Sequence, residues 1–353
     1  MQRYLANINF VLQPRRKPLL AARVASSFFR HFYYTDLSKR PLRNMDISLN
    51  YSCNLTCSHC SCEEMKNEDT PLTAEQYKKM ATEALGLGAI YFAFTGGEPL
   101  MNENLEDIIK LFYPSKSLIG LQTNAVLLNS DRIKSLYGVG LDVLQVSLDS
   151  SNPEIHDEFR NMKGAYQLTM HNVEKAILRG IKIIFCTTIT HQNMRSKEIL
   201  DLLCFSKNRN IPLVVSIPCA VGKWTKNSSV LWDDNDRQYF KNLQRRFPLL
   251  RRDFDSNYSR LGCSAATEKL YVTPYGDVIP CPFIHISFGN VKTEPLSVIR
   301  KRMLKLDRFN EYSDVCLAGE DSSFIEHYIV PTYQEDRLPQ KWENHPVLSR
   351  TCR

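Results

Sequence analysis

Cys53, Cys57 and Cys60 stand at C-x3-C-x2-C spacing inside DISLNYSCNLTCSHCSC, residues 46–62. For a chain with 11 cysteines in 353 residues, chance would place such a triplet only about 0.01 times. Soft thiolates on one short loop suit an iron-sulfur cluster, and a cuboidal 4Fe-4S cluster normally takes four of them. Three local ligands leave one iron open to a reactant, so the spacing points to a catalytic cluster; a zinc loop or a set of buried thiols is the plainer alternative.

Further residues that could do chemistry sit at recurring positions. Thr95-Gly96-Gly97-Glu98-Pro99 combines two glycines that let a ligand approach the backbone, a carboxylate for an ammonium group, and a proline that stiffens the exit; Gly-Gly-x-Pro is also an ordinary turn. Asn124 in QTNA, Ser147 and Asp149 in VSLDSS, and Arg160 in HDEFRNMKG could each hold a sugar hydroxyl or a carboxylate, or equally serve as turn and cap residues. Cys219 in SIPCAVGKW could donate a hydrogen atom or a proton, against the plainer reading of a quiet buried thiol. Cys263 and Cys281 form C-x12-G-x4-C around a Pro-Tyr-Gly-Asp turn at Gly276. A hairpin there would bring the two thiolates together, with Cys316 as a natural third ligand.

The elements that must position these residues follow from periodicity. Asp46 to Tyr51 alternates, placing Ile47, Leu49 and Tyr51 on one face. Thr73 to Gln76 is a capping box that opens a helix stopped by Gly86 and Gly88. The alternation continues with strands at 90–94, 117–122, 143–148, 181–189 and 213–217, and helices at 105–112, 130–137, 166–178 and 196–207. A sixth helix is expected at 234–247, and another at 295–303 beyond the hairpin. Apolar strands alternating with helices predict a parallel sheet covered by helices, either a partial barrel or an open wound sheet. Both architectures gather ligands at the carboxyl ends of the strands, where the cysteine loop, the Thr95–Pro99 loop, Asn124, Ser147, Asp149, Arg160 and Cys219 are expected.

Composition sets the wider bounds. Hydrophobic residues are 43% and charged residues 24%, which excludes disordered and collagen-like classes. No apolar run reaches the ~20 residues of a membrane span, arginines interrupt any signal-peptide core, and metal-ligand spacing of cysteines favours the reducing cytoplasm. Residues 1–44 carry nine Lys/Arg and one acid, a net of +8 against +7 for the whole chain. A helix over 18–34 could therefore touch a membrane surface, a nucleic acid or an acidic partner, or pack Leu19, Leu20, Phe28, Phe29 and Phe32 against the next domain.

These residues resemble the radical S-adenosylmethionine (radical SAM) superfamily with a C-terminal SPASM or twitch extension, over about residues 45–316. The likeness rests on Cys53, Cys57 and Cys60, on Gly96 to Pro99, and on Cys263 to Cys281 followed by GNVKTEPLSVIRKRM. It implies a partial (β/α)6 TIM-like barrel with a small α+β extension, divided as a basic extension (1–44), barrel (45–233), linker helix region (234–262) and auxiliary cluster domain (263–353). It implies a SAM-binding 4Fe-4S cluster on Cys53, Cys57 and Cys60. Gly96, Gly97, Glu98 and Pro99 would then meet the methionine ammonium, Ser147 the ribose with Asn124 in support, and Arg160 the carboxylate of S-adenosylmethionine.

One auxiliary 4Fe-4S cluster is expected on Cys263, Cys281 and Cys316, its fourth position filled by Cys352, another side chain or substrate, or left open. The implied activity is an oxidoreductase-type one: hydrogen-atom abstraction from a peptide or small molecule, with flavodoxin or ferredoxin as electron donor. A radical epimerase using Cys219 as hydrogen donor, and an iron-sulfur electron-transfer protein without radical chemistry, are the alternatives.

Overall fold

The structure, a computed structural model, describes residues 17–65, 67, 69–253 and 262–351. Seven strands follow one another as parallel neighbours: β1 (Asn44–Ser48), β2 (Tyr91–Thr95), β3 (Leu118–Thr123), β4 (Val143–Ser147), β5 (Lys182–Thr188), β6 (Leu213–Ser216) and β7 (Leu250–Arg252). The first six match the predicted strands. The short β7, rich in arginine, carries no strand pattern and gains its place only by pairing with β6. On the other side of β1 lies β8 (Lys269–Val272), also parallel, and then β9 (Val278–Ile279), antiparallel, so the nine-stranded sheet stays open with β7 and β9 at its ends.

The expected hairpin is therefore real, with Gly276 at φ +95° in its turn. The hairpin is not a separate cap, because β8 pairs with β1 from Asn44↔Lys269 to Ile47↔Val272. This places β1 between the first unit of the barrel and the cysteine-rich C-terminal region.

Between the strands run α-helices at Ala74–Leu87, Leu105–Leu111, Ser130–Val139, Pro153–Arg160, Ala165–Leu178, Lys197–Asn208 and Asp234–Arg246. The first of them starts on the predicted capping box, in which Thr73 and Gln76 bond reciprocally, and ends at Gly88 with φ +102°. The helix at Pro153–Arg160 is too short and too charged to show an apolar period; Asn152 caps it and Pro153 starts it. Between helices and sheet, Phe92, Phe94 and Phe112 are fully buried, with Phe112 5.0 Å edge-to-face from each of the other two.

The helix at Pro18–Tyr33 lies at the amino ends of the strands. Its Leu20 packs on Ile90 and Leu118, Lys17 pairs with Asp142 at 2.6 Å, and Arg23 donates to the Leu85 and Ala89 carbonyls. Two cations of the basic helix are thus bound within the chain. The expectation that Leu19, Phe28, Phe29 and Phe32 pack inward fails, since all four remain exposed while Leu20, Ser27 and His31 are buried. The helix buries only a narrow stripe, in which Leu20 packs on Ile90 and Leu118, and polar contacts from Lys17 and Arg23 hold it alongside. No described helix is long and apolar enough to cross a membrane.

Phe112→Ala should cost about 3–5 kcal/mol by removing the ring on which Phe92 and Phe94 close. Denaturant unfolding measures this, and a loss under about 1 kcal/mol would show that the site repacks without it.

Candidate functional site

The cysteine loop leaves β1 after Ser48 and is held on three sides by backbone. On one side, the Gly97 amide donates to the Asn50 carbonyl at 2.9 Å and the Glu98 amide to the Ser52 carbonyl at 2.8 Å. A Cβ on Gly97 would sit 2.3 Å from the Ser52 carbonyl oxygen. The adjacent glycines thus first admit the cysteine loop itself, and not only a ligand as the sequence suggests. On the second side, after β6, the Lys223 amide donates to the Cys60 carbonyl at 2.9 Å. Gly222 has φ +62°, and a Cβ there would lie 2.1 Å from the Cys60 oxygen. On the third side, the Ser58 amide donates to the Phe159 carbonyl, and Asn161 Nδ2 to Thr56 Oγ1 at 2.7 Å.

The loop borders a cavity of about 330 Å³ at the carboxyl ends of the strands. Cys53, Cys57, Cys60, Gly96, Gly97, Glu98, Asn124, Ser147, Arg160 and Cys219, ten of the residues singled out by sequence, all line it. Pro99 does not; it is buried at the start of the 3-10 turn Pro99–Met101. A larger cavity, of about 850 Å³, touches the amino ends of the strands, including Asn44, Tyr91, Leu118, Val143 and Lys182. No cysteine lines it, so the cysteine motif belongs to the smaller one.

Two assigned contacts are already engaged. Glu98 is 1% exposed, and its carboxylate accepts from Thr123 Oγ1 at 2.7 Å, the Asn124 amide at 2.9 Å and the Leu100 amide at 3.1 Å. Burial raises its pKa against the pull of these donors. Its visible role is to tie the glycine loop to the end of β3, so an incoming ammonium would share a carboxylate with three donors. Arg160, expected at a ligand carboxylate, instead forms a fork on Asp149, Nε to Oδ2 at 2.6 Å and Nη2 to Oδ1 at 3.1 Å. Its remaining Nη1 donates to Cys57 Sγ at 3.6 Å. Burial alone would push Asp149 up, but Arg160, His59 and His156 outweigh it and hold the carboxyl below its ordinary value.

Sequence reasoning passed over two residues here. Cys62 lines the cavity with its Sγ 3.8 Å from Cys60 Sγ, and this thiol-thiol hydrogen bond, against burial, brings Cys60 down to about 6. Its C-x-C step from Cys60 was the available signal. His59 stacks on Phe159 with centroids 4.5 Å apart and is driven to about 4 by burial, so it is neutral near pH 7.

A second set of thiols lies in the main core beside this cavity. Cys263, Cys316 and Cys219 are buried in the main core, and Cys281 packs against that same core. The Cys263 amide donates to the Ser313 carbonyl at 2.6 Å, which draws the segment bearing Cys316 to that bearing Cys263. Burial, then Cys316, pushes Cys263 up to about 12, and burial, then Cys263 and Cys316, raises Cys281. The three predicted auxiliary ligands are therefore neighbours. Cys352 lies outside the described residues, and none of the ten described cysteines forms a disulfide.

Family comparisons fit this geometry. The Radical SAM superfamily model matches residues 47–203, and the iron-sulfur cluster-binding SPASM domain matches residues 263–318. The chain carries a radical SAM domain and a C-terminal SPASM domain. These imply a 4Fe-4S cluster with S-adenosylmethionine and auxiliary iron-sulfur clusters. The two groups of soft thiols fit such clusters: one group faces an open cavity and the other is enclosed.

Among curated proteins, the AdoMet-dependent heme synthase of Methanosarcina barkeri is 24% identical over 71% of this chain and 80% of its own length. The antilisterial bacteriocin subtilosin biosynthesis protein AlbA of Bacillus subtilis is 24% identical over 69% of this chain and 56% of its own length. Streptococcus suis SuiB bound to precursor peptide SuiA superposes with TM-score 0.58 at 18% identity, over 74% of this chain and 64% of that one. Native anSMEcpe with bound AdoMet gives 0.57 at 17% identity, over 78% and 83%. The chain spans less than two thirds of AlbA and SuiB, and the structural likenesses establish the fold.

Asp149→Asn should leave the buried Arg160 guanidinium without its charge partner and cost about 3–5 kcal/mol. Because Arg160 holds the folded carboxyl below the ordinary aspartate value, the stability gap to wild type should be full above that ordinary value and shrink as pH falls through the lowered one. Denaturation curves across pH measure it; a gap unchanged at all pH would show that the pair carries no net charge interaction.

Proposed function

We propose that this chain is a radical SAM enzyme that abstracts a hydrogen atom from a peptide or small-molecule substrate, in a net oxidation, dehydration or coupling. The observation that carries the reading is the convergence of Cys53, Cys57, Cys60, Gly96, Gly97, Glu98, Asn124 and Ser147 on one cavity, with Cys219 of the second thiol group in its wall. When bound and reduced by one electron, the cluster supplies cleavage of S-adenosylmethionine to methionine and a 5′-deoxyadenosyl radical.

The chain's own residues do the positioning. Cys53, Cys57 and Cys60 hold the cluster; the Gly96–Glu98 loop receives the methionine end of the cosubstrate; Asn124 and Ser147, at the ends of β3 and β4, orient its ribose. Arg160 sets the charge beside Cys57 through its hydrogen bond rather than reaching a ligand carboxylate. Cys263, Cys281 and Cys316 would hold an auxiliary cluster, which would supply an acceptor for the electron that a net oxidation releases, and a small flavodoxin- or ferredoxin-like donor would supply the first electron.

A peptide substrate is supported by the likeness to SuiB, solved with its precursor peptide, and a small molecule by the heme synthases among the relatives. Ten described cysteines, all unpaired, favour the reducing cytoplasm. Anaerobic reconstitution with iron and sulfide, followed by dithionite and S-adenosylmethionine, should release 5′-deoxyadenosine. The Cys53→Ala, Cys57→Ala, Cys60→Ala variant should release none. Absence of the nucleoside from the reconstituted wild type would leave an iron-sulfur electron-transfer protein as the reading.

A further inference from the structure

We infer that Cys219, from the loop after β6, is the fourth ligand of the auxiliary cluster, which is thereby closed by four cysteines. The inference rests on the auxiliary cluster proposed above and adds which residue completes it and what the cluster can do.

The chain brings Cys219 to this place by packing. The Cys316–Gly319 turn lies against the exit of β6 so closely that a Cβ on Gly319 would meet the Pro218 carbonyl oxygen at 2.5 Å, Ile217 Cγ2 at 2.8 Å and Cys219 Sγ at 3.3 Å. The turn is held by the Gly319, Glu320 and Asp321 amides, which all donate to the Cys316 carbonyl, and by the Cys316 amide, which donates to Glu320 Oε2 at 2.7 Å. The Cys219 thiol donates to the Ile217 carbonyl at 3.5 Å and lies within electrostatic reach of Cys316, Cys281 and Cys263. Cys53, Cys57, Cys60, Cys62 and Cys186 line the first cavity as Cys219 does, but it is Cys219 that also abuts the Cys316–Gly319 turn; Cys204 is exposed on a helix. Cys219 alone among the described cysteines completes the enclosed group.

Four thiols and no other soft donor is the set that a 4Fe-4S cluster takes, and each loses its proton on ligation. Cys219 is 4% exposed, and the carbonyl nearest its sulfur, that of Ile217, is 3.5 Å away. Metal ligation gives this thiol, packed against the Cys316–Gly319 turn, a role that burial favours. Cys219 belongs to the barrel, whereas Cys263, Cys281 and Cys316 belong to the SPASM region, so the cluster fastens the two together. Because Cys219 and Phe283, two residues after Cys281, both line the first cavity, the closed cluster sits directly behind the reaction space. With no open iron, it passes electrons and does not bind substrate.

The test isolates the auxiliary cluster in the Cys53→Ala, Cys57→Ala, Cys60→Ala background. After anaerobic reconstitution this variant should hold about four irons and four sulfides per chain, and give one reduced 4Fe-4S signal by electron paramagnetic resonance. Adding Cys219→Ala should either lower the iron content or leave a cluster that loses one iron on mild oxidation, yielding a 3Fe-4S signal. Added 2-mercaptoethanol, able to fill the vacated position, should restore the parent spectrum. Cys219→Ser should shift the signal while retaining more iron than the alanine variant, and Cys204→Ala should change nothing. An unchanged iron count and spectrum in Cys219→Ala, insensitive to the added thiol, would overturn the assignment. A parent variant with no iron at all would overturn the auxiliary cluster itself, and the role of Cys219 with it.

Discussion

The site depends on how closely three stretches of backbone can approach. Hydrogen bonds of 2.8 and 2.9 Å join the cysteine loop to the glycine loop after β2, and another of 2.9 Å joins it to the loop after β6. Every one of these contacts passes a glycine whose Cβ would fall within 2.4 Å of a carbonyl oxygen on the cysteine loop. A loop bearing three reactive thiols has little apolar surface to bury, so backbone contact is what fixes its shape. Gly96, Gly97 and Gly222 are the residues that permit it.

From that constraint the rest follows by proximity. β1 is flanked by β2 on one side and β8 on the other, so one strand carries the cysteine loop and aligns the C-terminal hairpin beside it. Burial raises the Cys57 thiol above its ordinary value, and the buried Arg160–Asp149 pair sets a positive group against it that partly offsets this. Glu98 spends its carboxylate on the end of β3, which keeps the glycine loop in register with Asn124. Both proposed clusters therefore meet at one cavity wall, formed by Cys219 and Phe283.

Much of this was legible in the sequence, because β1 to β6 lie side by side in chain order and the glycine loop, Asn124, Ser147 and Cys219 lie at the ends of β2, β3, β4 and β6. The six apolar strands, the capping box at Thr73 and the hairpin at Gly276 all carry local signals that tertiary structure does not override. What escaped is what depends on partners distant in sequence. β7 becomes a strand only beside β6, and the parallel seat of β8 on β1 has no trace in either segment. Arg160 reads as a free cation until Asp149, eleven residues earlier, is brought against it by the turn of a short helix. That the Glu98 carboxylate also accepts from Thr123 and Asn124 has no local signal either. Leu19, Phe28, Phe29 and Phe32 have the spacing of a buried face, yet Lys17 and Arg23 anchor the helix and leave those rings outside.

The central claim is that one cavity, bordered by the cysteine and glycine loops, receives S-adenosylmethionine on the iron held by Cys53, Cys57 and Cys60. An anaerobic crystal structure of the reconstituted protein with S-adenosylmethionine tests it most directly. The account predicts the methionine group on that iron against Gly96 to Glu98, with the ribose beside Asn124 and Ser147. Cosubstrate bound elsewhere, or a cluster closed by a fourth protein ligand such as Cys62, would contradict it.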